Sequence, residues 1–382
     1  MATTITSGVR YSGIWTLAQV NAAISAGTWT GLPFLYVWGQ NTYGQLGIGN
    51  TTSYSSPKQV GSLTTWLNIA GGSYHTIAAK TDGTLWTWGQ NTYGQLGLGN
   101  TTNYSSPKQV GALTTWSAIA GGSYHTIARK TDGTLWTWGY NAYGQLGLGD
   151  VTNRSSPNQV GALTTWSTIA CGDYHTIALK TDGTLWTWGY STLGQLGLGN
   201  TTYKSSPNQV GALTTWSAIA GGGYHTIATK TDGTLWTWGY NVNGALGIGN
   251  TTNYSSPKQV GALTTWLTIA GGGFHTIATK TDGALWTWGR NTYGQLGIGN
   301  TSNCSDPTQV GSLTTWLTIA AGYDHTISVK TDGTLWTWGR NSTGQLGLGN
   351  TTNYSSPKQV GALTTWLKIA SGGYFTVAIA TT

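Results

Sequence analysis

Short runs of hydrophobic residues, separated by polar and turn-forming residues, recur along this chain with a period of 50 residues. In the copy that begins near residue 57, the runs fall at residues 57–60, 66–72, 74–78 and 84–89. Each run is rich in aromatic and β-branched residues, which favour β-strands. The last run of every copy contains the dipeptide Trp-Gly, whose tryptophans are Trp38, Trp88, Trp138, Trp188, Trp238, Trp288 and Trp338. Seven copies without insertion or deletion predict one repeat architecture instead of several domains.

The turn between the last two runs supports this interpretation. Asp82-Gly83 occupies it in the second copy, and such a pair is typical of a two-residue type I′ hairpin, because glycine adopts positive φ at no steric cost. Each copy then forms an antiparallel sheet of about four strands, which is the size of a propeller blade. The sequence therefore predicts an all-β fold, a seven-bladed β-propeller of 50-residue repeats over residues 31–382.

The two ends of the repeat region complement each other. The last copy stops after residues 374–379 and lacks its Asp-Gly turn and Trp-Gly strand, whereas the first begins at residues 35–39 and lacks everything before them. Pairing the two fragments completes one blade and removes open sheet edges, which otherwise promote aggregation. We therefore predict that residues 33–40 lie beside residues 373–380.

Residues 1–30 differ from the repeats. Thr16-Leu17-Ala18-Gln19 has the form of a capping box, and the apolar residues Leu17, Val20 and Ile24 precede Gly27, which predicts one short helix. Its apolar stripe is too small to fold alone, so we expect an anchoring segment that docks on the propeller or on another protein. We expect neither a membrane span nor a Sec-type signal peptide, because residues 1–10 lack a long apolar run and nowhere do eighteen apolar residues follow one another.

The composition argues against a nucleic-acid partner and against a disulfide framework. Only 7% of the residues are charged and none is Glu, so the formal net charge of +7 arises from lysines, arginines and aspartates that are spread along the chain. Because this charge is dispersed, we do not expect a nucleic-acid partner. Cys171 and Cys304 fall at unrelated places in their repeats, which argues against a disulfide framework.

The ionisable residues do not form a recognisable catalytic set. The histidines share one phase of the repeat, and the seventh copy has Phe375 there, so we expect a structural role with a backbone hydrogen bond instead of a zinc site. Asp82 and its counterparts belong to the hairpin turns, whereas Asp173 and Asp324 lie in corresponding loops three blades apart, too far for a carboxylate pair. We expect no enzyme activity, no metal and no cofactor. The histidines are His75, His125, His175, His225, His275 and His325.

Two further positions repeat in every copy and have structural explanations. Lys80 and its counterparts stand beside the hairpin turns, where a basic ring would either attract anions or, as we favour, keep a weakly charged protein soluble. Trp86 and Trp88 lie two apart in a strand and so point the same way. We expect both to form core between the blades.

Three segments carry a resemblance to a known family. Gly71-Gly72-Ser73-Tyr74-His75-Thr76, Asp82-Gly83-Thr84-Leu85-Trp86-Thr87-Trp88-Gly89 and Asn91-Thr92-Tyr93-Gly94-Gln95-Leu96-Gly97 recur nearly unchanged, and they resemble the repeats of the regulator of chromosome condensation family. The resemblance covers residues 31–382 and implies a seven-bladed propeller. It does not specify a function, since the family includes exchange factors for a small GTPase, protein inhibitors and many uncharacterised proteins. This sequence has no basic N-terminal tail and few acidic residues, so we do not expect exchange activity.

A second resemblance concerns residues 12–30 alone. Gly13-Ile14-Trp15-Thr16-Leu17 and Ala26-Gly27-Thr28-Trp29 are similar to a short segment of bacteriophage tail and other virion proteins. This similarity is brief, and it implies that residues 1–30 contact other virion proteins.

The positions at which near-identical copies differ are candidate binding residues, because the shared fold cannot require the difference. Both of the main sets are rich in aromatic residues, which suit recognition of a protein or a surface glycan; neutral drift in exposed loops is the alternative. One set precedes the histidines and comprises Tyr74, Tyr124, Asp173, Tyr174, Tyr224, Phe274, Tyr323, Asp324 and Tyr374. The other follows Trp-Gly, where Gln40 and Gln90 give way to Tyr140, Tyr190, Tyr240, Arg290 and Arg340.

Two hypotheses of function follow from the sequence. The first is a non-catalytic recognition propeller of a virion, associated with a phage tail or with host binding, which presents Tyr-rich loops and is located in the virion or on an extracellular surface. The alternative is an intracellular, cytoplasmic scaffold for protein interactions or a small-GTPase regulator of the same fold.

Overall fold

A computed structural model describes residues 32–381, which form β-strands and connections and contain no helix. The strands in chain order are β1 (Pro33–Gly39), β2 (Tyr54–Gln59), β3 (Trp66–Gly71), β4 (His75–Lys80), β5 (Leu85–Gly89), β6 (Tyr104–Gln109), β7 (Trp116–Gly121), β8 (His125–Lys130), β9 (Leu135–Gly139), β10 (Arg154–Gln159), β11 (Trp166–Cys171), β12 (His175–Lys180), β13 (Leu185–Gly189), β14 (Lys204–Gln209), β15 (Trp216–Gly221), β16 (His225–Lys230), β17 (Leu235–Gly239), β18 (Tyr254–Gln259), β19 (Trp266–Gly271), β20 (His275–Lys280), β21 (Leu285–Gly289), β22 (Cys304–Gln309), β23 (Trp316–Ala321), β24 (His325–Lys330), β25 (Leu335–Gly339), β26 (Tyr354–Gln359), β27 (Trp366–Ser371) and β28 (Phe375–Thr381). The short helix predicted within residues 1–30 lies outside the described residues. Among residues 32–381 there is no helix long and apolar enough to cross a membrane.

The strands form seven antiparallel sheets of four strands each, which are the blades of a propeller. In the first complete blade the order is β3-β4-β5-β6, and the same order recurs in the next five. Strand β3 and its counterparts β7, β11, β15, β19, β23 and β27 contact one another in succession around a central axis. These are therefore the inner strands, and β6 and its counterparts are the outermost. The seven-bladed β-propeller predicted from the repeat is confirmed.

The seventh blade joins the two ends of the described chain. Its strand order is β2-β1-β28-β27, and β1 pairs with β28 so that Leu35 stands opposite Ile379 and Trp38 opposite Thr376. The predicted proximity of residues 33–40 and 373–380 is confirmed. The first copy also provides β2 as the outer strand of this blade, so the N-terminal side contributes two strands to the closure.

A ring of backbone hydrogen bonds links the blades at the axis. The N–H of Ser73 donates to the carbonyl of Gly122 at 3.3 Å, and that of Asp173 donates to Gly223 at 3.1 Å. The same type of bond joins the seventh blade to the first, where the N–H of Gly373 donates to the carbonyl of Ser73 at 3.2 Å. Inner strands have an unpaired edge, and these bonds satisfy part of it without a covalent link.

Hydrophobic clusters fill the spaces between adjacent blades. Trp88 is fully buried there, and its indole N–H donates to the carbonyl of Gln45 at 3.0 Å, from a connection of the preceding blade. Trp86 is half-buried and packs against the edge of the cluster around Trp88. Both belong to the core as predicted. Trp88 is central to the cluster, whereas Trp86 lies where the core meets solvent.

The hairpin turns differ from the type predicted. Only glycines have positive φ in the described chain, so Asp82 does not, whereas Gly83 has a φ of +78°. The N–H of Gly83 donates to the carbonyl of Lys80, and the N–H of Thr84 donates to the Asp82 carboxylate at 2.9 Å. A type I′ turn needs positive φ at both central residues. The connection is therefore a three-residue loop with glycine in the left-handed position, and the assignment to type I′ is wrong.

Candidate functional site

The connections place different residue types on the two faces of the propeller. We define the tyrosine face by residues 40–53 and 72–74 with their counterparts, and the leucine face by residues 60–65 and 81–84 with theirs. Exposed leucines mark the second face and comprise Leu63, Leu113, Leu163, Leu213, Leu263, Leu313 and Leu363. The candidate binding residues identified from sequence all lie on the tyrosine face or at its centre.

Aromatic rings on the tyrosine face form one continuous cluster. Neighbouring rings at the position before the histidine, from Tyr74 through Tyr124, Tyr174 and Tyr224 to Phe274, lie 5.7 to 6.4 Å apart between centroids. We call the whole cluster the tyrosine belt. Its members are Tyr43, Tyr74, Tyr93, Tyr124, Tyr140, Tyr143, Tyr174, Tyr190, Tyr203, Tyr224, Tyr240 and Phe274.

The second candidate set extends the belt outwards. Tyr140 lies 4.7 Å from Tyr93, and Tyr190 lies 4.9 Å from Tyr143, measured between ring centroids. The structure therefore brings together eight candidates that the sequence had placed in two sets. They are Tyr74, Tyr124, Tyr174, Tyr224, Phe274, Tyr140, Tyr190 and Tyr240.

Four belt residues lie outside the two candidate sets, namely Tyr43, Tyr93, Tyr143 and Tyr203. Tyr203 is exposed, and its ring stacks on that of Tyr190 at 5.1 Å. The corresponding residue is Ser53 in the first copy and asparagine in the others. The criterion of positions that differ between copies identifies Tyr203 when it is applied to every column of the repeat.

Two hydroxyl groups of the belt, those of Tyr124 and Tyr224, remain protonated well above neutral pH. Burial, together with neighbouring tyrosines, raises the pKa of Tyr124 to about 12, and burial with the nearby Asp173 does the same for Tyr224. Each ring can therefore present an apolar face and an O–H donor at the same time.

A charged group interrupts the ring of aromatic residues. Asp324 stands at the tyrosine position of its copy with only 5% of its side chain exposed, and it lies 3.5 Å from both Arg290 and Arg340. Burial raises the pKa of Asp324, and the two guanidinium groups oppose that shift. Arg340 also lies over the rings of Tyr374 and Tyr293, at 4.9 and 5.1 Å. Two cations share one carboxylate here, so the group carries a net positive charge.

The remaining two candidates lie at the central axis. Tyr323 extends across the channel, and its hydroxyl lies 2.8 Å from Oγ of Ser73 and 2.9 Å from Oγ of Ser123. Asp173 lines the same cavity. Asp173 and Asp324 therefore occupy different surroundings and do not form a carboxylate pair, which agrees with the expectation from sequence.

The histidines have a structural role, but their hydrogen-bond partner differs from the predicted one. Nε2 of His75 lies 2.8 Å from Oγ1 of Thr126, a side chain of the next blade. Thr126 donates its own proton to the carbonyl of Gln95, so the histidine must donate from Nε2. The expected backbone hydrogen bond is wrong, because Gly72 leaves room for the ring to reach across the interface.

Burial keeps these imidazoles neutral. It lowers the pKa of His75, His125, His175 and His275 to about 3, and that of His225 to about 4. Among the described residues, no three side chains of His, Cys, Asp or Glu type are grouped so that they could hold a metal ion.

The repeated lysines contact tryptophans on the leucine face. Nζ of Lys80 lies 3.7 Å from the centroid of Trp86 and 5.1 Å from that of Trp66, and burial lowers the pKa of the ammonium group. Contacts of this kind stabilise the fold by about 1 kcal/mol each. The ring of lysines is thus part of the packing between strands instead of a free basic rim.

Comparison with known protein families agrees with the fold. The profile of the regulator of chromosome condensation (RCC1) repeat matches residues 34–79, 82–129, 132–179, 182–229, 232–279, 282–329 and 332–379. A second profile with the same description matches six separate segments between residues 66 and 345. A search of curated protein sequences finds no significant match.

Solved structures with the same architecture are distant in sequence. Prp20p from Saccharomyces cerevisiae, in a study of its binding to Gsp1p and histones, is 22% identical with a TM-score of 0.82, over 92% of each chain. Human WBSCR16 is 21% identical with a TM-score of 0.81, over 92% of this chain and 99% of the other. Yeast RCC1 (Prp20) bound to Kap60 is 21% identical with a TM-score of 0.82, over 100% and 96%. At this level of identity the similarity concerns the fold.

Proposed function

Because the chain belongs to the regulator of chromosome condensation (RCC1) repeat family, we propose that it is a non-catalytic propeller that binds a partner protein through its tyrosine belt. The observation that carries this proposal is the belt itself. Twelve aromatic rings from successive blades contact one another on a single face.

The chemistry of the belt suits a protein interface. Tyrosine is enriched at the centres of protein interfaces, because it buries a large rigid ring at little entropic cost and still offers a hydrogen bond. The rings of Tyr124, Tyr174 and Tyr224 are held between their neighbours, so little conformational freedom remains to be lost on binding. A partner meets a surface that is already ordered.

The group of Arg290, Asp324 and Arg340 makes this face asymmetric, because it distinguishes one sector from the others. Seven similar blades would otherwise offer a partner several nearly equivalent orientations. Within residues 32–381, two guanidinium groups flank the belt only in this sector, with 27% and 29% of their side chains exposed. Charge-assisted hydrogen bonds to an acidic group of the partner would fix its orientation.

The alternative hypothesis from the sequence fits the comparisons better than the virion hypothesis does. The virion hypothesis depends on residues 12–30, which lie outside the described residues, and none of the three structures compared above is described as a virion component. We therefore favour an intracellular scaffold over a host-binding protein. A glycan ligand has no separate support, and exchange activity toward a GTPase is not part of this proposal.

Mapping of the contact surface tests the proposal. The full chain is used to isolate a partner from its source cells, and the purified complex is then examined by hydroxyl-radical footprinting. We expect protection of Tyr140, Tyr190 and Tyr203 and no change at Leu263 and Leu313 on the leucine face. Protection confined to the leucine face would overturn the assignment of the belt as the binding surface.

A further inference from the structure

A small cavity lies on the propeller axis, at the centre of the tyrosine face. Its volume is about 180 Å³, and its wall consists mainly of backbone from the ends of the inner strands. At the position that follows Gly72, four of the seven copies place a side chain larger than glycine on this wall. These residues are Ser73, Ser123, Asp173 and Tyr323.

Three hydroxyl groups meet in this cavity. Oγ of Ser73 lies 2.8 Å from Oγ of Ser123, and both lie within 2.9 Å of the Tyr323 hydroxyl. Tyr323 reaches them from across the axis, since it belongs to a blade three positions away from that of Ser123. Groups from separate blades thus converge on one point.

A carboxylate completes the cluster. Asp173 is 8% exposed, and its carboxylate lies close to the hydroxyl groups of Ser123 and Tyr323. The ion pairs of the described chain involve Asp150 and Asp324, so within residues 32–381 no cationic side chain compensates Asp173. An ionised carboxylate buried to this extent is unfavourable unless a cation or several donors accompany it.

The available protons are too few for the oxygen atoms present. Ser73, Ser123 and Tyr323 each have one O–H group, and the three contacts between them can use all three protons. Any proton directed at Asp173 then leaves a contact between two hydroxyl oxygens without a hydrogen. The Asp173 carboxylate, which has no ion-pair partner among the described residues, is left short of donors. The cluster therefore lacks positive charge.

We propose that this axial cavity is a binding site for a hard metal cation, held by the Asp173 carboxylate and the hydroxyl oxygens of Ser73, Ser123 and Tyr323. Oxygen donors of this kind suit Na⁺, K⁺, Mg²⁺ and Ca²⁺ and are poor ligands for soft metals. The cavity is larger than a bare ion, so the cation keeps some of its water. Carbonyl groups at the unpaired edges of the inner strands provide further oxygen atoms.

Cys171 also lines the cavity. The oxygen donors of the cluster outnumber this single sulfur atom, which favours a hard ion over a soft one. The bound cation would connect four blades at the axis and stabilise the closed ring. This site does not depend on the proposed binding of a partner, and either proposal can fail without the other.

The repeats provide substitutions that the fold already accepts. Asp173→Ser places at this position the residue found at Ser73 and Ser123. The control is Asp306→Ser, because Asp306 is exposed on an outer strand where the other copies have serine. Both variants remove one carboxylate, and only the first removes it from the cavity.

Thermal unfolding of the full-length protein in choline chloride, with NaCl, KCl, MgCl₂ or CaCl₂ replacing it at constant ionic strength, tests the site. We expect at least one of these salts to raise the Tm of the wild type and of Asp306→Ser by several degrees, and to leave that of Asp173→Ser unchanged. Isothermal titration with the same salt should show one site in the first two proteins and none in the third. Equal responses of all three proteins, or no response to any of the four salts, would overturn the proposal.

Discussion

Nε2 of His75 lies 2.8 Å from Oγ1 of Thr126 in the neighbouring blade, and this bond recurs at five further interfaces. At the seventh interface Phe375 stands in place of the histidine. Each imidazole is buried and donates to a threonine that donates in turn to a backbone carbonyl. The blades are therefore joined by six short chains of hydrogen bonds. The buried Nδ1 atom of each histidine has no hydrogen-bond partner, so a second proton there would be unpaired and the neutral form is favoured.

Stability should fall as the pH drops below about 6.5, because the pKa of unfolded histidine is near that value. In the folded protein the pKa of these side chains lies between about 3 and 4. Between the two values the unfolded state binds more protons, so each histidine lowers the free energy of unfolding by up to about 1.4 kcal/mol per pH unit. Urea unfolding between about pH 5 and 6.5, above the usual carboxylate range, measures the combined slope.

A matched variant separates the histidines from other groups. The double substitution His125→Phe and His175→Phe introduces the residue of the seventh copy, and it should reduce the slope by about a third. The same slope in wild type and variant would mean that other groups cause the loss of stability in acid.

Closure of the ring should depend on the packing of β1. Leu35 is 0% exposed opposite Ile379, whereas Leu32, just before the strand, is 43% exposed. Leu35→Ala should lower the free energy of unfolding by about 2–5 kcal/mol because it leaves a cavity in the closing blade. Leu32→Ala should change it by less than about 0.5 kcal/mol. Chemical denaturation measures both variants. If their free energies of unfolding fall by similar amounts, this strand does not hold the ring closed.

One blade lacks a hydrogen bond that the other complete blades have. In most copies the indole N–H of the outer tryptophan donates to a threonine, as Trp236 does to Thr234 at 2.9 Å. Ala284 replaces that threonine in the sixth copy, and Nε1 of Trp286 is buried without a partner. Ala284→Thr should therefore stabilise the protein by about 1 kcal/mol. The reverse change Thr234→Ala should destabilise it to a similar extent, and a lower Tm for Ala284→Thr would contradict this explanation.

The two arginines of the charged sector should be needed to keep Asp324 buried. Replacing both arginines by glutamine, the residue of Gln40 and Gln90, leaves the Asp324 carboxylate without a cationic partner. The free energy of unfolding should fall by about 1–3 kcal/mol. The loss is smaller than for a fully buried ion pair because the arginines are partly exposed. Adding Asp324→Tyr, which restores the residue of the other copies, should recover most of that loss. Denaturation of the double and triple variants measures the difference, and no recovery in the triple variant would contradict the role given to Asp324.

The fold could be predicted from sequence because the repeat determines it almost completely. Trp-Gly at a constant spacing gave the number of blades, and the unmatched ends of the first and last copies gave the pairing of β1 with β28. The turn type was wrong because Asp-Gly also occurs in three-residue loops, and the backbone angle of Asp82 decides between the two. Local sequence alone does not specify that angle.

The site was harder to predict because its contacts cross between blades. The partner of His75 is Thr126, 51 residues later, and no local pattern links the two. The contact of Tyr323 with Ser73 and Ser123 also depends on the width of the channel, which cannot be derived from the repeat length. The positions that vary between copies did identify the belt residues, because these side chains lie on a face where the fold allows variation.

The affinity of tyrosine-face variants for the isolated partner tests the central claim most directly. The triple substitution Tyr140→Gln, Tyr190→Gln and Tyr240→Gln introduces the residue of Gln40 and Gln90. The control, Leu267→Ser with Leu317→Ser, introduces the residue of Ser117 at exposed positions of two inner strands, at the ends next to the leucine face. We predict that the first variant weakens binding by at least about tenfold, while the second binds like the wild type. Unchanged affinity of the tyrosine variant, with its fold intact, would contradict the account.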